Sequence, residues 1–176
     1  MHRIPSAAFI AIMCAAAAAG AQRPTGMAMG PGMMGMPRDS ATMALAMASH
    51  ALVMNHDRIT RTVVNLPNGI RTVTESEDPQ LAASIKEHVA TTVQRVEKAA
   101  DPGLPMESPA LREIFRLSTK VRTNTETTAK GVIVTQTSDD SATVAALQTH
   151  AAEVSELVKG GMAALHASMM KRPRNP

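Results

Sequence analysis

Two histidines, His88 and His150, occupy matching places in two stretches of this chain. A shift of 62 positions lays Glu75–Val96, ESEDPQLAASIKEHVATTVQRV, on Thr137–Val158, TSDDSATVAALQTHAAEVSELV, without a gap. Both histidines fall within an apolar stripe at helical spacing, so both are expected to turn inward. Packed about a twofold axis, the two imidazoles would approach each other and could ligate a transition metal or the axial positions of a haem. His50 and Met54 stand where the second half carries Arg112 and Arg116, so either could add a third ligand that breaks the symmetry. Folding alone offers a competing account, in which each histidine is a hydrogen-bonded core residue that recurs because the unit recurs.

A second group of soft donors lies near the N-terminus. Met27, Met29, Met33, Met34 and Met36 crowd the segment QRPTGMAMGPGMMGMPR. Thioether sulfur suits Cu(I), and M-x-M and M-x-x-M spacings resemble the methionine-rich segments of exported copper-handling proteins. Copper is therefore the favoured ion, with the tail capturing it and the histidines holding it. A compositionally biased leader without ligand duties is the alternative. Haem is disfavoured on two counts: the chain is poor in large residues to line a roomy pocket, and it lacks a C-x-x-C-H attachment motif.

Stepping along the chain gives the elements that must position these groups. A short basic start, an apolar run from Ile4 to Ala19 and small residues at Ala19-Gly20-Ala21 have the layout of a secretory signal peptide over residues 1–21. Export, periplasmic or secreted, is the expected address, with no membrane span left after cleavage. Residues 22–38 form a Gly/Pro-rich tail, residues 39–170 a single domain, and residues 171–176 a basic, Pro-containing tail. Cys14 is the only cysteine, so the mature chain forms no internal disulfide. It holds one aromatic residue, Phe115, and must build its core from Ala, Val, Leu, Ile and Met; a homodimer would complete so thin a core. With neither a basic cluster nor stacking aromatics, nucleic acid is not an expected partner.

Within the domain, Asp39 and Ser40 open a helix running to about His56, whose face Met43, Met47, His50 and Met54 reads as a core stripe. The β-branched runs Ile59–Leu66 and Ile70–Ser76, joined by Pro67-Asn68-Gly69, read as a hairpin, and so do Val121–Thr128 and Val132–Ser138. Pro is expected to fix the first turn residue, and the shared Gly69 and Gly131 to supply positive φ. Arg58, Arg61, Arg71, Lys120 and Arg122 lie among threonines, which implies a solvated sheet face. The acidic joints Glu75, Glu77, Asp78 and Asp139, Asp140 read as helix caps rather than acid–base machinery. Helices follow at about Pro79–Ala99, Pro109–Ser118 and Ala142–Met170, the last with a break at Gly160-Gly161.

The expected fold is α+β. A duplicated α-β-β-α unit (39–100 and 101–162, plus a helix extension) makes one four-stranded antiparallel sheet covered by helices on one face. The run LPNGIRTVTESEDP…EHV with its echo KGVIVTQTSDDS…THA resembles uncharacterised exported bacterial proteins, which implies export and this architecture but no activity. No H-E-x-x-H, G-x-S-x-G, phosphate-loop or dinucleotide motif occurs. The function read from the sequence is a non-enzymatic metal binder, against a small interaction module without ligand or a haem binder.

Overall fold

The computed structural model describes residues 40–104 and 107–171, all within one compact unit, Met34–Pro176. The expected signal peptide, the tail with Met27, Met29, Met33, Met34 and Met36, and residues 172–176 lie outside them. The described chain runs α1 (Ser40–Met54), a 3-10 turn (His56–Arg58), β1 (Thr60–Leu66), β2 (Gly69–Glu75) and α2 (Pro79–Glu97). It continues with α3 (Pro109–Arg116), a second 3-10 turn (Ser118–Lys120), β3 (Arg122–Thr127), β4 (Gly131–Thr137) and α4 (Ser141–Met170). The fold is α+β, with one four-stranded antiparallel sheet in the order β1-β2-β4-β3.

The pairing obeys the 62-residue shift seen in the sequence. Thr60↔Glu75 in the first hairpin becomes Arg122↔Thr137 in the second, and the central β2–β4 ladder is symmetric about Thr72↔Val134. The joints match as well. Ser76 N–H donates to the Lys130 carbonyl and Ser138 N–H to the Asn68 carbonyl, each at 2.9 Å. Asp78 accepts from Gln80 and Leu81 N–H, Asp140 from Thr143 N–H, and the two caps are paired with Arg58 and Lys120. The acidic joints are thus caps, placed where free N–H groups and the helix dipole favour a carboxylate. Through these joints each long helix crosses to the other half: α4 lies on β1 and β2, and α2 chiefly on β4.

Two sequence expectations need correction. Gly69 and Gly131 do not have positive φ. They are glycine because a Cβ at Gly69 would fall inside the Gln136 carbonyl, and one at Gly131 inside that of Thr74. Close strand approach, not turn geometry, sets the residue type. The expected core stripe of α1 also fails, since Met47 is 67 % and Met54 56 % exposed while Thr42 and Leu45 are buried. This helix is apolar on nearly all sides, so periodicity alone could not choose the face.

One sheet face is covered. Ile70, Thr72, Val132 and Val134 are buried there, while Thr62, Val64, Arg71 and Glu126 on the other face are exposed. Two core clusters form beneath it, one around Leu147 with Ile70, Ile114 and Phe115, the other around Ile85 with Leu81, Val132 and Val134.

Candidate functional site: a cavity between the two core clusters

Mostly aliphatic side chains, with Phe115 the one aromatic among them, leave space where the clusters meet. A cavity of about 780 Å³ opens there, walled by the inner sheet face and by residues of all four helices. Ile70, Ile85, Val89, Val134, Leu157 and Leu165 make its walls mostly apolar. This volume lies within the range of sites that enclose a small organic molecule.

The polar groups on that wall are few and poorly satisfied. Arg61 Nε, His88 Nδ1, Glu107 Oε2, His150 Nδ1 and Glu153 Oε2 are buried side-chain atoms without a hydrogen-bond partner among the described residues, and all five residues line this cavity. An orphaned buried polar atom costs about 1–3 kcal/mol, and native folds hold few of them. Five on one wall call for a functional account. Arg61 reaches in from β1, where strand alternation puts it on the same face as Val63, and its Nη1 donates to Thr74 Oγ1 at 2.6 Å. Glu153 Oε2 stands 4.0 Å from His150 Nδ1.

Their protonation follows from this setting. Burial pushes the His150 imidazole down to about 4, with repulsion from Arg61 adding to it, and burial alone lowers His88. Burial lowers Arg61 only to about 10, so it stays cationic at neutral pH. Glu107 is raised to about 7, first by burial and then by Asp101 beside it. At neutral pH His88 and His150 are therefore neutral, Arg61 is cationic, and Glu107 is near its midpoint.

These shifts set a pH profile for stability. Between the ordinary histidine value of 6.5 and about 4, the unfolded chain holds a proton that folded His150 rejects, so stability falls as pH drops through that window, and the lowered His88 acts in the same direction. Glu107 acts oppositely: from 4.5 to about 7 the folded chain holds its proton longer, so this contribution is lost as pH rises. Urea unfolding across pH 4–8 should show the two opposed slopes largely offsetting between pH 4.5 and 6.5. Glu107→Gln should unmask a rise of stability with pH across that window, and His150→Gln should tilt the profile the other way, toward a fall with rising pH.

His56 belongs to the same wall. Its Nδ1 bonds the Val158 carbonyl at 2.9 Å. A carbonyl only accepts, so Nδ1 carries the proton and Nε2 of the neutral ring is the acceptor. The ring lies against Gly161, where α4 leaves helical geometry at φ 53° and ψ −135°. The expected break in this helix is thus present, and His56 holds it.

His88 and His150 both line the cavity, which is where inward-facing stripes on α2 and α4 should bring them. His50, on an exposed stretch of α1, contributes to the lining, whereas Met54 points outward and does not. Among the described residues no group of three or more His, Cys, Asp or Glu is placed to hold a metal ion. Arg61, His56, Glu107 and Glu153 were not singled out from the sequence. One signal could have found them: their partners under the 62-residue shift are Thr123, Ser118, Leu45 and Thr91, so each is a place where the two halves differ.

No family model matches the chain, and neither a curated protein nor a solved structure matches it. None of the described helices is long and apolar enough to cross a membrane.

Proposed function

We propose that this chain is an exported, non-enzymatic binding protein that encloses a small, mainly apolar organic molecule in the cavity beneath its sheet. One observation carries the reading: five buried polar atoms without partners sit on side chains that line a single apolar-walled cavity. A ligand with an apolar body and a few polar groups satisfies both halves of that wall. The export part rests on the leader-like residues 1–21.

Filling the cavity tests it. Thr92 lines the wall from α2, half-buried, with its hydroxyl bonded only to the His88 carbonyl one turn back. Thr92→Trp should keep the far-UV circular dichroism of the parent and reduce binding of the apolar dye N-phenyl-1-naphthylamine by at least about tenfold, since bulk then occupies the site. Undiminished dye binding in a folded variant would place the dye elsewhere.

Haem is a second reading, favoured because His50, His56, His88 and His150 all line the cavity. A cavity of about 780 Å³ also removes the objection that no roomy pocket exists. Titration with hemin, followed for a sharpened and shifted Soret band, distinguishes it. The copper reading draws its support from the methionines outside the described residues, with His88 and His150 supplying two donors. A Cu(I) titration with and without residues 22–36 tests that part.

A further inference from the structure

Among the strand cations Arg61 alone lies on the covered sheet face, while Arg95 and Lys171 line the cavity from α2 and from the end of α4. Arg58, Lys120, Arg122 and Lys130 are surface groups, and each has a carboxylate within ion-pair distance. Arg61 lines the cavity, and none of the ion pairs among the described residues includes it. Of the five N–H donors on its planar fork, one meets Thr74 Oγ1, while Nε–H is buried without an acceptor among the described residues. A buried charge is normally paired, because taking it out of water is costly. Glu107, Glu153 and Glu156 line the same cavity, and none of them is within ion-pair distance of the guanidinium. His150 is neutral at pH 7, and the Glu153 carboxyl on α4 lies near His150 rather than against the guanidinium. Under the 62-residue shift Arg61 faces Thr123, whose hydroxyl accepts from Gln136 Nε2 just as Thr74 accepts from Arg61. A neutral pair thus fills the equivalent place in the other half, so the fold itself does not require the charge.

Building on the proposed cavity ligand, we infer that this ligand carries an oxyanion, a carboxylate or a phosphate, seated on the Arg61 guanidinium beside Thr74 and His150. The rigid fork of an arginine matches two oxygens of either group. The apolar body then extends along Val89, Val134 and Leu157, which share the cavity wall. The ligand class is an amphiphilic acid with one head group and an aliphatic or ring-like body.

The test uses the full chain and matched ligands of equal length: dodecanoate, dodecyl phosphate and dodecanol, each displacing N-phenyl-1-naphthylamine at pH 7. The wild type should take at least one of the two anions about ten- to a hundredfold more tightly than the alcohol, as a charge-assisted bidentate contact implies. Arg61→Gln should bring the anions down to the affinity that the same variant shows for the alcohol. Arg61→Lys should retain part of the preference as a point charge. Arg71→Gln, which removes an exposed charge on the outer sheet face, should change nothing. Preference for the carboxylate over the phosphate, or the reverse, identifies the head group. Equal affinity of wild type for acid and alcohol, or equal losses from the Arg61 and Arg71 variants, overturns the inference while the cavity reading stands. Failure of every compound and the dye to bind overturns the cavity reading itself.

Discussion

Gly161→Ala is expected to destabilise the protein by about 3 kcal/mol and to weaken dye binding with it. The backbone there has φ 53° and ψ −135°, a combination open in practice to glycine alone, and forcing a side chain into such a region costs about 1–3 kcal/mol. The new Cβ would also fall on the Cδ2–Nε2 edge of His56. Moving that ring breaks its bond to the Val158 carbonyl, which contributes about 1 kcal/mol more. The segment beyond the kink supplies Ala164, Leu165 and Ser168 to the cavity wall, so a shifted kink deforms the site. Adding His56→Ala should recover part of the loss, because the collision disappears, and that non-additivity marks the two residues as one device. Urea unfolding of the two single variants and the double reads all of this. A loss below about 0.5 kcal/mol for Gly161→Ala would mean that the kink is not held as described.

Arg61→Met is expected to do the reverse and raise stability, by about 1–2 kcal/mol. Replacing a buried charge with an apolar side chain of similar length removes a desolvation penalty that no partner in the fold offsets. The cost is small, since Thr74 Oγ1 loses one contact at the cavity wall. An exposed arginine such as Arg122, paired with Asp139, should give a change near zero when treated the same way. A residue that lowers stability where it stands is retained for binding rather than folding. Thermal unfolding in the absence of ligand decides it. A destabilisation of more than about 1 kcal/mol would make Arg61 a structural residue.

Much of the framework was legible in the sequence because its rules are local. Ser76 and Ser138 with Asp78 and Asp140 announce helix starts through capping chemistry alone, and the threonine- and valine-rich runs announce strands. The matched spacing also put His88 and His150 on inward faces, and both line the cavity. What stayed hidden depends on neighbours distant in sequence. Gly69 looks like a turn residue until the Gln136 carbonyl of the adjoining strand is seen against it. His56 looks like the end of a helix until Val158, 102 residues further on, offers its carbonyl. Arg61 read as part of a solvated charged face, although strict alternation with Val63 puts it inside. In α1 the methionines and the leucines formed two competing apolar stripes, and only packing against α2 and α4 chose between them.

The account stands or falls on whether a molecule enters the space between the two core clusters. Methyl-labelled protein, titrated with dodecanoate and followed by ¹H–¹³C correlation spectra, reports on this directly. Ile85, Val89, Val134 and Leu165 line the cavity and should shift progressively with ligand. Val64 and Ile133, on the opposite sheet face, should not. Shifts confined to Val64 and Ile133, or no shifts at saturating ligand, would contradict the binding role assigned to the cavity.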